Sequence, residues 1–405
     1  MPKRVIITIT VILGIALISL GVIFYARGFK INPKNGGLER TGLLVIDSIP
    51  EGAQVFLDDR LTSATNTTIS FLKPKTYHLK LTKEGYNPWE KDIEIKADLA
   101  NKIDVVLFPS LPELKPLTYA GAKNPVISPD GNKIVYAVTG EEKAGLWILE
   151  ISGSPFPFRS AQRQIVKNTP TLDFSQAKLT WSPDSQTIWA SLQKGGVEGE
   201  ENTRNFFLEA GKLNENLVDV TATLEAKLTT WQTDINRVEQ ERLKGLEKLL
   251  TENSEVVIKA KKIFEQEQAT SSAALGVVKL YPDNLIWSPD EKKILIPKEK
   301  NGGFSQGANV WLLKDNNPLI KTPNQFEIPA AKQIFWYPNS ENLVLVEDDK
   351  IQIIDFEGIN KVTVYSGSFE DNFVFTWSDG SRLVILTTLN QAAGAPANLY
   401  SVNLR

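Results

Sequence analysis

Trp181-Ser182-Pro183-Asp184, with Ile188-Trp189-Ala190 just beyond it, is the stretch from which the 405-residue chain can be read. Its pattern returns as Ile127-Ser128-Pro129-Asp130-Gly131, Trp287-Ser288-Pro289-Asp290, Trp336-Tyr337-Pro338-Asn339 and Trp377-Ser378-Asp379-Gly380. β-rich runs follow these four as well: Ile134-Val135-Tyr136, Ile294-Leu295-Ile296, Leu343-Val344-Leu345 and Leu383-Val384-Ile385. Proline presets φ, aspartate can bond the backbone two residues on, and glycine tolerates positive φ, so each block reads as two strands joined by a tight turn.

Equivalent turn positions lie 54, 106, 49 and 41 residues apart. Apart from the second, these intervals suit four-stranded repeats. Third strands are expected at Leu146 to Leu149, Phe206 to Leu208, Val310 to Leu313, Ile351 to Ile354 and Leu399 to Val402. Fourth strands are expected at Gln164-Ile165-Val166, Val218-Asp219-Val220, Leu319-Ile320-Lys321 and Val362-Thr363-Val364. The last repeat reaches Arg405 without one, and Leu114 to Tyr119 could fill that place and hide the edge. The expectation is a mainly β chain with a β-propeller over 114–405, five blades, with six as the alternative. The segments resemble WD40-like and TolB-type propeller repeats, although Tyr337 replaces Ser in one turn and Ser378 runs straight to Asp379 in another. That resemblance implies a fold and is nearly silent on activity.

The long interval contains a helical insertion, 222–268. Leu224, Leu228, Trp231, Ile235 and Val238 step by three and four, and Leu243, Leu246, Leu249 and Leu250 continue the stripe. Asn253-Ser254 breaks it before a second helix carrying Val256, Val257, Ile263 and Phe264. Its polar side mixes signs, which argues against a basic membrane-surface helix. An amphipathic stripe usually means packing, so a hairpin lying on the propeller is expected; the rival is a docking arm for a partner or a second copy.

At the other end, residues 1–4 form a short tail and residues 5–26 an apolar run long enough for a transmembrane helix across about 30 Å of hydrocarbon. A cleaved signal peptide fits less well, because the run is long and lacks a small-x-small site after it. Basic residues flank both ends, so charge alone hardly sets the orientation. Residues 27–40, with Pro33 and Gly36-Gly37, read as a linker.

Residues 41–109 alternate like a small antiparallel β-sandwich: Leu43 to Ile46, Val55 to Leu57, Tyr77 to Leu81, Ile93 to Ile95 and Ile103 to Leu107. The segment resembles the PEGA domain, whose name is spelled by Pro50-Glu51-Gly52-Ala53, with Glu84-Gly85-Tyr86 closing the match. It departs from the family at Asp59-Arg60-Leu61 and Pro74-Lys75-Thr76-Tyr77. The resemblance implies an extracytoplasmic or surface-exposed protein.

Chemistry is sparse. With no Cys, thiolate nucleophiles, disulfides and Cys-ligated metals are excluded. Lys+Arg 45 against Asp+Glu 48 gives net −3, so no global field recruits nucleic acid. His78 is the sole histidine and falls on an alternating strand, where a surface role outweighs a catalytic one. No HExxH, GxSxG, Walker or GxGxxG pattern occurs. Glu198-Gly199-Glu200-Glu201-Asn202 lacks calcium-loop spacing, and Asp58-Asp59 and Asp348-Asp349 sit in turns. Asn66-Thr67-Thr68 matches a glycosylation sequon. The sequence therefore predicts no catalytic, metal or cofactor residue and no cofactor. It predicts a single-pass, membrane-anchored, extracytoplasmic binding or scaffold protein. Its partners would be the lipid bilayer, through residues 5–26, and a protein, peptide or envelope glycan. The alternatives are a propeller hydrolase acting on glycans or peptides, and a structural subunit oligomerising through residues 222–268.

Overall fold

A computed structural model describes residues 3–26, 29–31, 38–140, 143–151, 162–193, 203–249, 255–270, 285–299, 303–313, 325–370, 373–389 and 395–405. The chain is mainly β and divides into two compact units, Met1–Leu111 with Arg405, and Pro112–Leu404.

The first unit begins with helix α1 (Lys3–Ala26). Its described side chains run from residue 7 to residue 23, a rise of about 26 Å against the roughly 30 Å of a hydrocarbon core. Among the described residues, no helix is long and apolar enough to cross a membrane. The stretch read as a linker holds a short antiparallel ladder, β1 (Phe29–Ile31) on β2 (Leu38–Arg40).

Seven strands follow: β3 (Gly42–Ile49), β4 (Gln54–Leu57), β5 (Arg60–Ala64), β6 (Thr67–Leu72), β7 (Lys75–Thr82), β8 (Trp89–Ile95) and β9 (Ala100–Val106). They form two sheets in the orders β6-β3-β9 and β5-β4-β7-β8. The expected all-antiparallel pairing fails at one place, since β3 and β9 run parallel, Leu43 opposite Ala100 through Ile49 opposite Val106. Alternate residues of β3 turn inward, so Leu44 and Ile46 join Val55, Leu79, Leu81, Ile95 and Leu107 in one buried cluster. Each such side chain contributes about 1.5–3 kcal/mol relative to exposure. Asp58 (φ 49°) and Asp59 (φ 61°) build the two-residue turn between β4 and β5 without glycine. Two consecutive left-handed residues are what a hairpin twisted like its strands requires, and aspartate tolerates that region.

The second unit opens with β10 (Leu114–Pro116) and continues as successive antiparallel sheets. The first sheet is β11 (Lys123–Ile127), β12 (Lys133–Val138), β13 (Gly145–Glu150) and β14 (Gln162–Lys167). The second is β15 (Lys178–Trp181), β16 (Thr187–Gln193) and β17 (Thr203–Glu209). Helices α2 (Leu224–Leu249) and α3 (Glu255–Thr270) intervene. The third sheet is β18 (Ile286–Trp287), β19 (Lys293–Pro297), β20 (Ala308–Leu312) and β21 (Gln325–Ile328). The fourth is β22 (Gln333–Trp336), β23 (Asn342–Val346), β24 (Lys350–Asp355) and β25 (Val362–Ser366). In the fifth, β26 (Val374–Thr376), β27 (Arg382–Thr387) and β28 (Asn398–Asn403) are completed by β10, with Leu114 opposite Val402. The beginning of the unit thus fills the open edge at its end.

Two expected fourth strands fall elsewhere. Val218-Asp219-Val220 is no strand: Val220 N donates to Asn205 O, but the Asp219 carboxylate accepts from Thr221 N and Oγ1 and turns the chain toward α2. Asn214 covers the other end of this edge, its side chain bonding both Glu209 N and Glu209 O. Leu319-Ile320-Lys321 lies outside the described residues, and the fourth strand of the third sheet is β21.

Candidate functional site

The five repeated turns share one geometry. In three of them a serine hydroxyl donates to the aspartate two residues on and accepts the N–H five residues on: Ser128 with Asp130 and Lys133, Ser182 with Asp184 and Thr187, Ser288 with Asp290 and Lys293. Each turn then places a residue at positive φ: Gly131 (68°), Ser185 (58°), Glu291 (56°), Ser340 (63°) and Gly380 (72°). Glycine fills that place only twice, so in three turns a residue with a side chain is held in the left-handed region. Burial raises the Asp130 and Asp290 carboxyls, but the bonds they accept and the nearby lysines outweigh it and hold both below the ordinary value.

The turns also tie sheet to sheet. Asp130 N donates to Ser185 Oγ and Asp290 N to Ser340 Oγ, both at 3.0 Å. The tryptophan indoles reach backward in the same way, Trp181 Nε1 to Val126 O and Trp336 Nε1 to Ile286 O, again at 3.0 Å. Trp377 Nε1 instead bonds Ile151 O of the first sheet. These indoles, like Tyr337, whose hydroxyl bonds Gly380 O, are structural fasteners.

Among the described residues, two of this unit's cavities bring polar side chains together. One, of about 420 Å³, is lined by Asn124, Pro125 and Val126 of the first sheet, Gln176 to Leu179 beside the second, and Phe373 beside the fifth. Asn124 sits at φ 48° with its amide donating to Ser175 O, so the strand start is held in a fixed, left-handed shape. Three sheets therefore present amides, one ammonium and one ring to a common space. The other cavity, of about 610 Å³, gathers Glu299, Glu347, Asp348 and Asp349 around Phe304 and Lys332. Three of its four acids are partnered: Glu299 accepts from Ser305 Oγ and Gln306 N, Glu347 pairs with Lys350 at 3.0 Å, and Asp348 pairs with Lys332.

The remaining sequence candidates separate. His78 is exposed on β7; its Nδ1 lies 2.9 Å from Asp92 Oδ1, and that bond, aided by the charges of Asp92 and Glu90, raises its pKa despite partial desolvation. The Asp58 carboxyl is held low by Lys75 and by His78 N. Asn66 is exposed, its side-chain oxygen accepting from Ser48 N at 2.9 Å. Glu198 to Asn202 lies outside the described residues. Among the described residues no group of three or more potential ligands could hold a metal.

What the sequence missed is the inner side of the helical insertion. Glu239 of α2 is buried; its Oε1 accepts from Arg242 NH1 at 2.7 Å and its Oε2 from Trp287 Nε1 at 3.2 Å. Arg242 Nε also donates to Glu291 Oε1 at 3.0 Å. Burial lowers the Arg242 pKa, but the two glutamates outweigh it and raise the guanidinium above its usual value. The sequence puts Glu239 on the mixed polar side of the helix and Val238 on its apolar stripe; the structure reverses them, with Val238 40% exposed and Glu239 buried.

Residues 41–110 match the family described as PEGA domain. No relative is found among curated proteins. Solved structures similar to the chain include a eukaryotic initiation factor (11% identity, TM-score 0.21), covering 71% of this chain and 53% of that one. They also include a putative TolB from Agrobacterium tumefaciens (15%, TM-score 0.21), covering 88% and 98%. TolB from Acinetobacter baumannii (12%, TM-score 0.18) covers 78% and 65%. The chain spans about half the length of the first of these structures. Likenesses of this size say nothing about activity.

Proposed function

We propose that the chain is a single-pass, membrane-anchored, extracytoplasmic binding protein whose second unit is a five-bladed β-propeller offering a protein, peptide or glycan site. The observation that carries the anchor is α1 itself. Ile7, Ile9, Ile12, Leu13, Ile15 and Leu17 are 46–64% exposed, on every side of the helix. A helix apolar all round is stable only where something apolar surrounds it. Its backbone continues to Lys3 and Ala26, and the flanking Val5, Ile6, Phe24 and Tyr25 extend the apolar sequence toward bilayer thickness.

The propeller reading is supported by the succession of five sheets, each fastened to a neighbour through its turns, and by β10 completing the last. The binding reading is supported by the 420 Å³ cavity, where Asn124, Gln176, Lys178 and Phe373 offer donors, acceptors, a charge and a stacking surface. The hydrolase reading loses support because three of the four acids of the larger cavity, Glu299, Glu347 and Asp348, are already partnered. Oligomerisation through 222–268 loses support because the buried apolar residues described in α2 and α3, Leu228, Trp231, Leu243, Val257 and Ala260, pack on the chain's own sheets.

Full-length protein mixed with liposomes should float with the lipid and resist alkaline extraction, and in intact cells the region beyond residue 41 should be open to added protease. A chain that stays in the aqueous phase, or is fully protected, refutes the anchor or the orientation. Capture from envelope extracts, on full-length protein against its Lys178→Glu variant, tests the cavity; equal capture of the same partner by both would remove the cavity from the proposal.

A further inference from the structure

Among the described residues, the second and third sheets share no buried cluster, unlike three other pairs. The first and second share one buried cluster, and so do the third and fourth, and the first and fifth. On the far face of the second sheet, Trp189 and Phe207 pack instead on Leu228 and Trp231 of α2, with Phe207 edge-on to Trp231 at 5.4 Å. On the far face of the third, Ile294, Ile296 and Trp311 pack on Leu243, Val257 and Ala260 of the two helices. The helices cover an apolar sheet face on each side.

The polar contacts are replaced in the same way. Trp181 and Trp336 bond a backbone carbonyl in the sheet before their own, whereas Trp287 bonds the carboxylate of Glu239. Ser185 and Ser340 accept the aspartate N–H of the preceding turn; the third turn has Glu291 at this position, and it pairs with Arg242. A buried carboxylate is costly unless paired and hydrogen-bonded, and Glu239 has both an ionic and a neutral donor.

We propose that α2 and α3 form a clasp standing in for direct contact between the second and third sheets, with Trp287, Glu239, Arg242 and Glu291 as its lock. Releasing the lock opens this seam before any sheet unfolds. The clasp depends on the observed packing and not on the ligand or membrane reading.

Hydrogen exchange on the full-length protein and its variants tests it. In Glu239→Gln, exchange should rise at least about tenfold in α2, α3 and the strands they cover, β16, β17, β19 and β20, because a buried charge partner is lost. The first, fourth and fifth sheets should keep their rates. Trp287→Phe, which removes the indole donor and part of the ring packed on the helices, should give a smaller rise in the same segments and covers the case in which Glu239→Gln does not fold. Arg237→Ala, which breaks an exposed pair with Glu241 on the same helix, should change nothing. Unchanged seam exchange in both lock variants, or a uniform rise across all five sheets, would overturn the proposal.

Discussion

Two junctions of the second unit do one task with different materials. Between the first and second sheets, Val135, Leu146 and Ile148 share one buried cluster with Trp181, Ile188 and Leu208, and the turns are joined by Asp130 N to Ser185 Oγ and Lys133 Nζ to Ser185 O. Between the second and third, the sheets meet helices, and the fastening bonds run through charged side chains. Direct sheet packing draws mainly on non-directional burial, its charged donors Lys133 and Arg163 reaching only backbone carbonyls of the second sheet, so it should be less sensitive to charge substitutions than the helical junction. The helical junction depends on one buried carboxylate, so its strength is concentrated in a few atoms.

The largest test strikes the direct junction. Trp181→Ala should cost about 3–5 kcal/mol in chemical denaturation, because the side chain is fully buried and its removal leaves a cavity between two sheets. A loss under about 1 kcal/mol would mean that the junction repacks freely. Leu228→Ala should cost about 2–4 kcal/mol at the helical junction, read as a lowered denaturation midpoint with the first unit unaffected. If it exceeds the cost of Trp181→Ala, the two junctions are not ranked as their buried side chains imply.

Ser185→Ala removes the acceptor of Asp130 N and should cost about 1 kcal/mol. Ser185→Gly should cost less, since glycine relieves the positive φ while losing the same bond. An equal cost for both would show that the turn carries no backbone strain.

The smallest effects are those of pH, and they distinguish the two units. Asp130 and Asp290 have lowered folded pKa values, so their stabilisation is full above the unfolded carboxylate range and lost as pH falls through the folded values. His78 has a raised value, so its contribution is full below the unfolded imidazole range and lost as pH rises through the folded value. Denaturation followed from pH 3 to 9 should show Asp130→Asn flattening only the acid limb of the second unit, and His78→Gln flattening only the neutral-to-alkaline limb of the first. His78 is exposed, so its limb should be shallow and salt-sensitive.

Much of the architecture was legible because it is written in local chemistry. Serine, proline and aspartate at fixed spacing set the turns; continuous β-prone apolar runs set β12, β16, β19, β23 and β27; and the break at Asn253-Ser254 separated α2 from α3. The same local rules misread Val218-Asp219-Val220, where aspartate's preference for capping the next turn overrode a β-prone pair. They also gave no hint that β9 pairs parallel with β3, because residue alternation is identical for either direction.

The sequence by itself determined the class of strands, the number and place of the turns, the apolar amino-terminal run and the amphipathic insertion, since each is a property of neighbours along the chain. Only the tertiary structure decided that β10 completes the fifth sheet, that the insertion covers the facing sides of the second and third sheets, and that Glu239 meets Trp287 and Arg242 in its interior. Those outcomes join residues up to 290 positions apart, and across such separations burial and hydrogen-bond satisfaction select the partner while local propensity is silent.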